Sequence, residues 1–144
     1  MTDYIRFATD GGIARLTFNR PDKKNAITAA MYQSLADHLK EAEHDIAVRA
    51  IVITGDGGIF TAGNDLDDFL KHPPQGDDSA VVQFMTALRT TSKPVIAAVP
   101  GIAIGIGTTL LMHCDLVYAA DTAKFALPFT SLGLCPEFAS SMLA

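Results

Sequence analysis

The chain has 144 residues, of which 49% are hydrophobic and 19% charged, and this composition excludes a disordered chain and suffices for one globular core. Its net charge is −5, and no basic cluster interrupts it, so nucleic acid is excluded as the expected partner. Neither cysteine belongs to a CxxC pair, the N-terminus has no apolar leader segment, and no apolar run is long enough to cross a bilayer. We therefore expect one reduced, cytoplasmic domain over residues 1–144 with no membrane partner.

The apolar pattern predicts alternating strands and helices from the N-terminus onward. Strands over residues 4–9 and 13–19 join through an Asp-Gly-Gly turn, which is typical of a hairpin. A helix is predicted from Thr28 to His44, with Thr28 as its N-cap and with Ile46 continuing its apolar stripe.

The remainder of the chain repeats this alternation. The predicted elements are strands over residues 49–55, 94–99, 114–120 and 123–127, helices over 66–71, 79–91 and 108–113, and glycine-rich loops over 56–65 and 101–107. The strands over 49–55 and 94–99 are apolar throughout, which predicts burial on both faces. Residues 137–144 resemble the first two turns of a helix. The order of elements indicates an α/β fold.

The loop "GIAIGIG", residues 101–107, has three interpretations. A dinucleotide-binding loop would place Asp121 on a ribose, but Leu110 stands where the third glycine of that fingerprint belongs. Alternatively, the glycines permit only a tight turn and close packing. In the third interpretation, this loop faces "FTAGNDL", residues 60–66, and each loop gives one backbone N–H to a single oxygen atom, forming an oxyanion hole.

Five segments resemble, in chain order, the signature of the enoyl-CoA hydratase/isomerase (crotonase) family: "NRPDKKNAI", "GIFTAGNDL", "PVIAAVPGIAIGIG", "CDLVYAADTAKFALP" and "LGL". The resemblance covers almost the whole chain. It implies an α/β superhelix of ββα turns followed by C-terminal helices that this chain lacks, assembled as a homotrimer or a dimer of trimers. It also implies an acyl-CoA thioester as substrate, with no resident cofactor, because coenzyme A arrives as part of that substrate.

The resemblance further implies roles for individual residues. The two oxyanion N–H donors fall on Asn64 and Ile106, and the Ala62 carbonyl faces the adenine of coenzyme A. Asp65 holds the oxyanion loop in shape. The residues expected to bind the substrate are Lys24, Asn25, Ala26, Ile27, Ala62, Gly63, Asp65, Leu66, Gly105, Phe129 and Leu134.

The acidic residues indicate which reaction is expected. Hydratases of the family use two glutamates, and Thr109 and Phe129 stand at those positions here. "PFTSLGLCPE" resembles the peroxisomal-type 3-enoyl-CoA to 2-enoyl-CoA isomerases, which implies Glu137 as the single catalytic base. Apolar neighbours are expected to raise its pKa by desolvation. Phe138 stands where those isomerases usually have glycine, and we expect its ring to narrow or reshape the acyl pocket. From local pattern alone, Pro136 and Glu137 are also typical of an ordinary helix start.

An enoyl-CoA isomerase is thus the leading hypothesis, and three alternatives stay open. They are another reaction of the family (hydration or thioester hydrolysis), a non-catalytic acyl-CoA-binding scaffold, and a dinucleotide site that NAD would stabilise. No metal is expected, because Asp65, Asp67 and Asp68 fit a helix N-cap and a solvated face and the histidines lack ligand spacing.

Overall fold

The computed structural model describes residues 3–144, and its centre is a five-stranded sheet. The strands of the chain are β1 (Ile5–Asp10), β2 (Ile13–Phe18), β3 (Ala50–Gly55), β4 (Val95–Val99), β5 (Ala103–Ile104), β6 (Leu116–Ala119) and β7 (Phe125–Ala126). The central sheet has the order β1-β2-β3-β4-β6, with β1 antiparallel to β2 and the other neighbours parallel. β5 and β7 form a separate parallel pair.

Five helices lie within residues 3–144. They are α1 (Ala29–His44), α2 (Leu66–Lys71), α3 (Ala80–Thr90), α4 (Ile106–Thr109) and α5 (Ser140–Leu143), with 3-10 turns at Pro21–Lys23, Leu110–His113 and Thr130–Leu132. α1 packs against α3 and against the β1–β2 hairpin. The Thr28 hydroxyl accepts a hydrogen bond from the Met31 N–H at 3.3 Å, which confirms the predicted N-cap. Within residues 3–144, no helix has the length and apolar character needed to cross a membrane.

The core lies between the sheet and α1. Leu16 of β2 and Ile51 of β3 are fully buried beneath Leu35 and Leu39 of the helix. The expectation that the strand over 49–55 is buried on both faces is wrong, because side chains on the second face of β3, such as Val52, keep partial exposure.

Three local expectations differ from the structure. Ile46 lies beyond the end of α1 and is 99% exposed, so it is not part of the apolar stripe. The segment 101–107 is not one loop, because it contains β5 and the first residues of α4, which begins at Ile106 rather than Thr108. Residues 137–139 are not helical, and α5 begins at Ser140.

The edge strand β6 of the central sheet is apolar and exposed. All four residues of β6 are exposed, and Tyr118 keeps 66% of its surface. Phe125 and Leu127, later in the chain, are also exposed. Within residues 3–144 nothing covers the side chains of β6.

Candidate active site

One cavity of about 520 Å³ lies between α1, α3 and the segment that precedes α5. Six of the residues expected from sequence to act in catalysis or substrate binding line it: Ile27, Asn64, Asp65, Ile106, Leu134 and Glu137. These residues come from distant parts of the chain. A cavity of this size, mostly apolar with a few polar groups, is typical of a small-molecule site.

The two glycine-rich stretches, residues 56–65 and 101–107, are in direct contact with each other. The Ile104 N–H donates to the Thr61 carbonyl at 3.0 Å, and Thr61 and Ala103 form a β-bridge. A Cβ on Gly63 would lie 2.7 Å from the Ile104 carbonyl oxygen, and one on Gly107 would lie 2.8 Å from the Thr61 carbonyl oxygen. The glycines therefore permit the close packing that was one interpretation of this stretch.

The backbone N–H groups of Asn64 and Ile106 have no hydrogen-bond acceptor among residues 3–144. The neighbours of Asn64 are satisfied, because the Gly63 N–H donates to the Thr61 hydroxyl at 3.1 Å and the Asp65 N–H donates to the Ile27 carbonyl at 2.9 Å. Ile106 is the first residue of α4, where backbone N–H groups have no partner within the helix. The two residues that carry these unsatisfied donors both line the cavity.

The dinucleotide interpretation is wrong for this loop. That motif needs a glycine turn that runs from a strand directly into a long helix. Here β5 stands between β4 and α4, and α4 has only four residues. Asp121 follows β6 and is exposed.

Asp65 fixes the loop that carries Asn64. One carboxylate oxygen accepts from the Asp68 N–H at 3.0 Å and so caps α2, as the sequence predicts, while the other pairs with the Arg20 guanidinium at 2.7 Å. The Asp68 N–H, and then Arg20, lower the pKa of Asp65 below its ordinary value. Asp65 is therefore an ionised structural residue at the cavity wall.

Asn25 supports the same loops from inside. Its side chain is fully buried, its Nδ2 lies 3.0–3.1 Å from the carbonyl oxygens of Asp56, Ile59 and Phe60, and its Oδ1 accepts from the Arg20 N–H at 2.8 Å. The residue has a φ of 56°, a conformation that asparagine adopts more readily than most residues. Its side chain thus connects its own turn, residues 20–25, to the loop over residues 56–60.

We expect Asn25→Ala to lower the free energy of unfolding by about 2–3 kcal/mol, because buried carbonyl groups lose their donor. Denaturant unfolding measures this change. Asn19→Ala is the matched control, since among residues 3–144 the Asn19 side chain makes one hydrogen bond, to the Asp3 carbonyl, in an exposed setting. Equal effects of the two substitutions would contradict the structural role of Asn25.

Glu137 is the half-buried acid of the cavity. Its Oε1 accepts a hydrogen bond from the Thr109 hydroxyl at 2.8 Å, and within residues 3–144 no cation pairs with it. Burial raises the pKa of Glu137 above its ordinary value, and the Thr109 hydrogen bond opposes that rise. The predicted direction of the shift is confirmed. The helix-start interpretation of this residue is wrong, because α5 begins three residues later.

Thr109→Val should raise the pKa of Glu137 further. The lost hydroxyl donates to the ionised carboxylate and favours it, so its removal favours the protonated form. In a pH–rate profile, activity that depends on the carboxylate should then appear at higher pH. Thr90→Val is the control, because the Thr90 hydroxyl binds only the Thr86 carbonyl within α3. If activity in Thr109→Val falls at the same low pH as in the wild type, on the acid limb of the profile, the effect of Thr109 on the pKa of Glu137 is contradicted.

Tyr32 of α1 is a site residue that the sequence reasoning missed. It is 5% exposed and lines the cavity, and its hydroxyl donates to the Asn64 side-chain oxygen. Burial, and next the charge of Glu137, raise its pKa well above the ordinary value, so it remains a neutral phenol. Its place on the buried face of a predicted helix was readable, but the direction of its hydroxyl was not.

Several residues expected to bind substrate do not line the cavity, and these are Lys24, Asn25, Ala26, Ala62, Gly63, Leu66, Gly105 and Phe129. Lys24 and Ala62 lie together outside it, where the Ala62 N–H donates to the Lys24 carbonyl at 3.0 Å. Leu66 is 55% exposed, and Phe129 is buried. The ring of Phe138 does not narrow the cavity, contrary to expectation, because it packs into the core.

The sequence profile of the enoyl-CoA hydratase/isomerase family matches residues 8–144. The chain belongs to this family. Its fold is the family's crotonase-like α/β fold: the structure matches OdaA of Pseudomonas aeruginosa with a TM-score of 0.94 at 52% identity, covering 98% of this chain and 57% of that one. It matches an enoyl-CoA hydratase/isomerase from Pseudoalteromonas atlantica with a TM-score of 0.93 at 43% identity, covering 98% and 56%.

Family members with different reactions are similar to this chain. Enoyl-CoA delta isomerase 2 of Rattus norvegicus is 42% identical over 95% of the chain and 36% of the relative. 1,2-Epoxyphenylacetyl-CoA isomerase of Escherichia coli is 37% identical over 99% and 57%, and a probable enoyl-CoA hydratase of Bacillus subtilis is 36% identical over 95% and 54%. The chain thus spans between about a third and just over half of the length of these relatives.

Proposed function

We propose that this chain carries the catalytic core of an acyl-CoA isomerase that moves a double bond from position 3 to position 2 of an enoyl-CoA. The observation that carries the proposal is a single cavity with two unsatisfied backbone donors and one half-buried acid: Asn64, Ile106 and Glu137. The similarity of the chain to an enoyl-CoA delta isomerase supports the choice of reaction.

In the proposed reaction, the thioester carbonyl oxygen accepts hydrogen bonds from the Asn64 and Ile106 N–H groups. Glu137 takes a proton from C2, the negative charge moves onto the thioester oxygen, and the proton returns at C4. The proton on C2 of a thioester is weakly acidic, so the enolate needs strong stabilisation. Backbone donors held by the fold supply it without reorganising during the reaction.

Glu137 is the preferred base among the three carboxylates that line the cavity. Asp65 is paired with Arg20, and Asp68 accepts from the Ala29 N–H at 2.7 Å and contacts His72. Both are engaged in holding helix termini. Glu137 has a hydroxyl partner and a raised pKa, which makes it a stronger base than an ordinary carboxylate.

Hydration is the less favoured reaction of the family. The resemblance places the two glutamates of the hydratases at Thr109 and Phe129, neither of which transfers protons as a carboxylate does. In this chain the Thr109 hydroxyl instead binds Glu137. We propose that coenzyme A lies along residues 24–27 and Ala62, of which Ile27 lines the cavity, so that its acyl group extends between Asn64 and Glu137.

Product analysis with the purified chain tests the proposal. A 3-enoyl-CoA should become the conjugated 2-enoyl-CoA, which ultraviolet absorbance detects and chromatography identifies. When 2-enoyl-CoA is supplied, a hydratase would form 3-hydroxyacyl-CoA and a thioesterase would release free coenzyme A. A non-catalytic scaffold would be stabilised by acyl-CoA without turnover. The proposal is overturned if hydration, thioester hydrolysis, or stabilisation without turnover is found in place of isomerisation.

A further inference from the structure

We propose that His113 and Phe138 form a clamp that positions the Glu137 carboxylate relative to the Ile106 N–H. This inference rests on the proposed function, since it assigns positioning residues to the base of that reaction. Neither residue lines the cavity. Both therefore act through Glu137 rather than by touching substrate.

The backbone directly after Glu137 has an unfavourable conformation. Phe138 has a φ of 60° and Ala139 a φ of 55°, so two consecutive residues with side chains lie in the left-handed region. Bulky residues are genuine outliers there, and such a conformation persists only where surrounding contacts impose it. The segment before Glu137 cannot impose it, because residues 130–136 are all exposed.

The contacts that impose this conformation come from His113. Its ring stacks on the Phe138 ring at a centroid distance of 3.8 Å, and its Nε2–H donates to the Phe138 carbonyl at 2.7 Å. The Phe138 ring is 8% exposed and also meets Phe84 edge-on at 6.1 Å. Because both the ring and the carbonyl of Phe138 are held, the backbone of the residue that follows Glu137 has one orientation.

The helical segment over residues 106–113 carries the group that binds the Glu137 carboxylate and the group that binds the backbone after it. α4 begins with Ile106, includes Thr109, and continues as the 3-10 turn that ends at His113. The Thr109 hydroxyl holds the carboxylate at 2.8 Å, and His113 holds the backbone beyond it. The base and one proposed oxyanion donor are thus attached to a single rigid element. This attachment favours a fixed reacting geometry.

Two substitutions test the clamp by different routes. Phe138→Leu removes the ring that stacks on His113 and keeps an apolar side chain at this position. His113→Phe keeps a ring for stacking and removes only the Nε2–H donor, so it tests the clamp if the leucine variant does not fold. We expect kcat to fall about 10- to 100-fold with KM changed by less than about threefold, because misplacing a reacting group affects the chemical step. The acid limb of the pH profile should also move toward lower pH, as the released carboxylate gains water.

His38→Gln is the matched control. His38 stacks on Phe7 at 4.4 Å, which is also an imidazole–phenyl stack but lies on the β1 side of α1, away from the cavity. The loss of the His38–Phe7 stack should leave kcat, KM and the pH profile unchanged. A purely structural role of the clamp predicts that its variants behave like this control once the folded fraction is accounted for.

Glu137→Gln, measured in parallel, separates failure of the inference from failure of the proposed function. If Glu137→Gln is inactive and folded clamp variants keep the wild-type kcat and pH profile, the inference is overturned and the proposed function stands. If Glu137→Gln isomerises at the wild-type rate, the proposed function fails and the inference fails with it. Low kcat with a shifted acid limb in the clamp variants, beside an inactive Glu137→Gln, supports both.

Discussion

Glu137→Gln should lower kcat for isomerisation by about 10²- to 10⁴-fold, the range expected for a general base. Glutamine keeps the size of the side chain and an oxygen that accepts the Thr109 hydroxyl at the same place. It lacks the basic carboxylate, which this cavity makes more basic by burial. We therefore expect KM for the acyl-CoA to change little while the chemical step is lost.

The pH dependence of the wild-type chain gives an independent measure of the same group. The working form of Glu137 is the carboxylate, so activity should fall as pH falls through its pKa. Because burial raises that pKa, the fall should begin at a higher pH than for an ordinary glutamate. Glu41→Gln is the control, since Glu41 is exposed on α1 and contacts only His38. Wild-type turnover in Glu137→Gln would contradict its role as base.

Ile106→Pro should lower kcat by about 10²- to 10³-fold, the effect of losing one oxyanion donor. Proline removes a backbone N–H, and Ile106 is the first residue of α4, where proline is well tolerated. No acceptor within residues 3–144 uses that N–H, so the substitution breaks no internal hydrogen bond of the fold. Its carbonyl remains available to the Leu110 N–H.

Ile106→Val is the matched control for the proline variant. Valine has nearly the size of proline and keeps the N–H, so it reports the cost of shortening a side chain that is 2% exposed. Kinetics and thermal unfolding of both variants separate the donor from packing. Should the proline and valine variants turn over at equal rates, the Ile106 N–H is not an oxyanion donor.

Capping residues and apolar spacing within one segment predicted where the helices α1 and α2 begin. Thr28 caps α1 because a hydroxyl followed by an apolar stripe satisfies a helix terminus wherever the helix lies. Asp65 caps α2 for the same reason. Ile46 fits the stripe by spacing alone, but the helix ends at His44, since helix ends depend on contacts that spacing does not contain.

The candidate site was predictable in its main residues but not in its geometry. The resemblance selects Asn64, Ile106 and Glu137, and the structure brings all three to one cavity. Tyr32 was missed, because helical spacing indicates burial but not that its hydroxyl meets Asn64. Phe138 was expected beside the acyl chain and instead packs on His113, a contact between residues 25 positions apart.

The sequence by itself determined the α/β order, which follows from residue type and spacing, and its resemblance to the family selected Asn64, Ile106 and Glu137 as candidate site residues. Only the tertiary structure decided that the two glycine-rich loops meet at Thr61 and Gly107. It alone decided that Phe138 and Ala139 interrupt the predicted helix. The physical reason is that local propensities differ by small energies, whereas packing across the fold selects one conformation among those the chain locally permits.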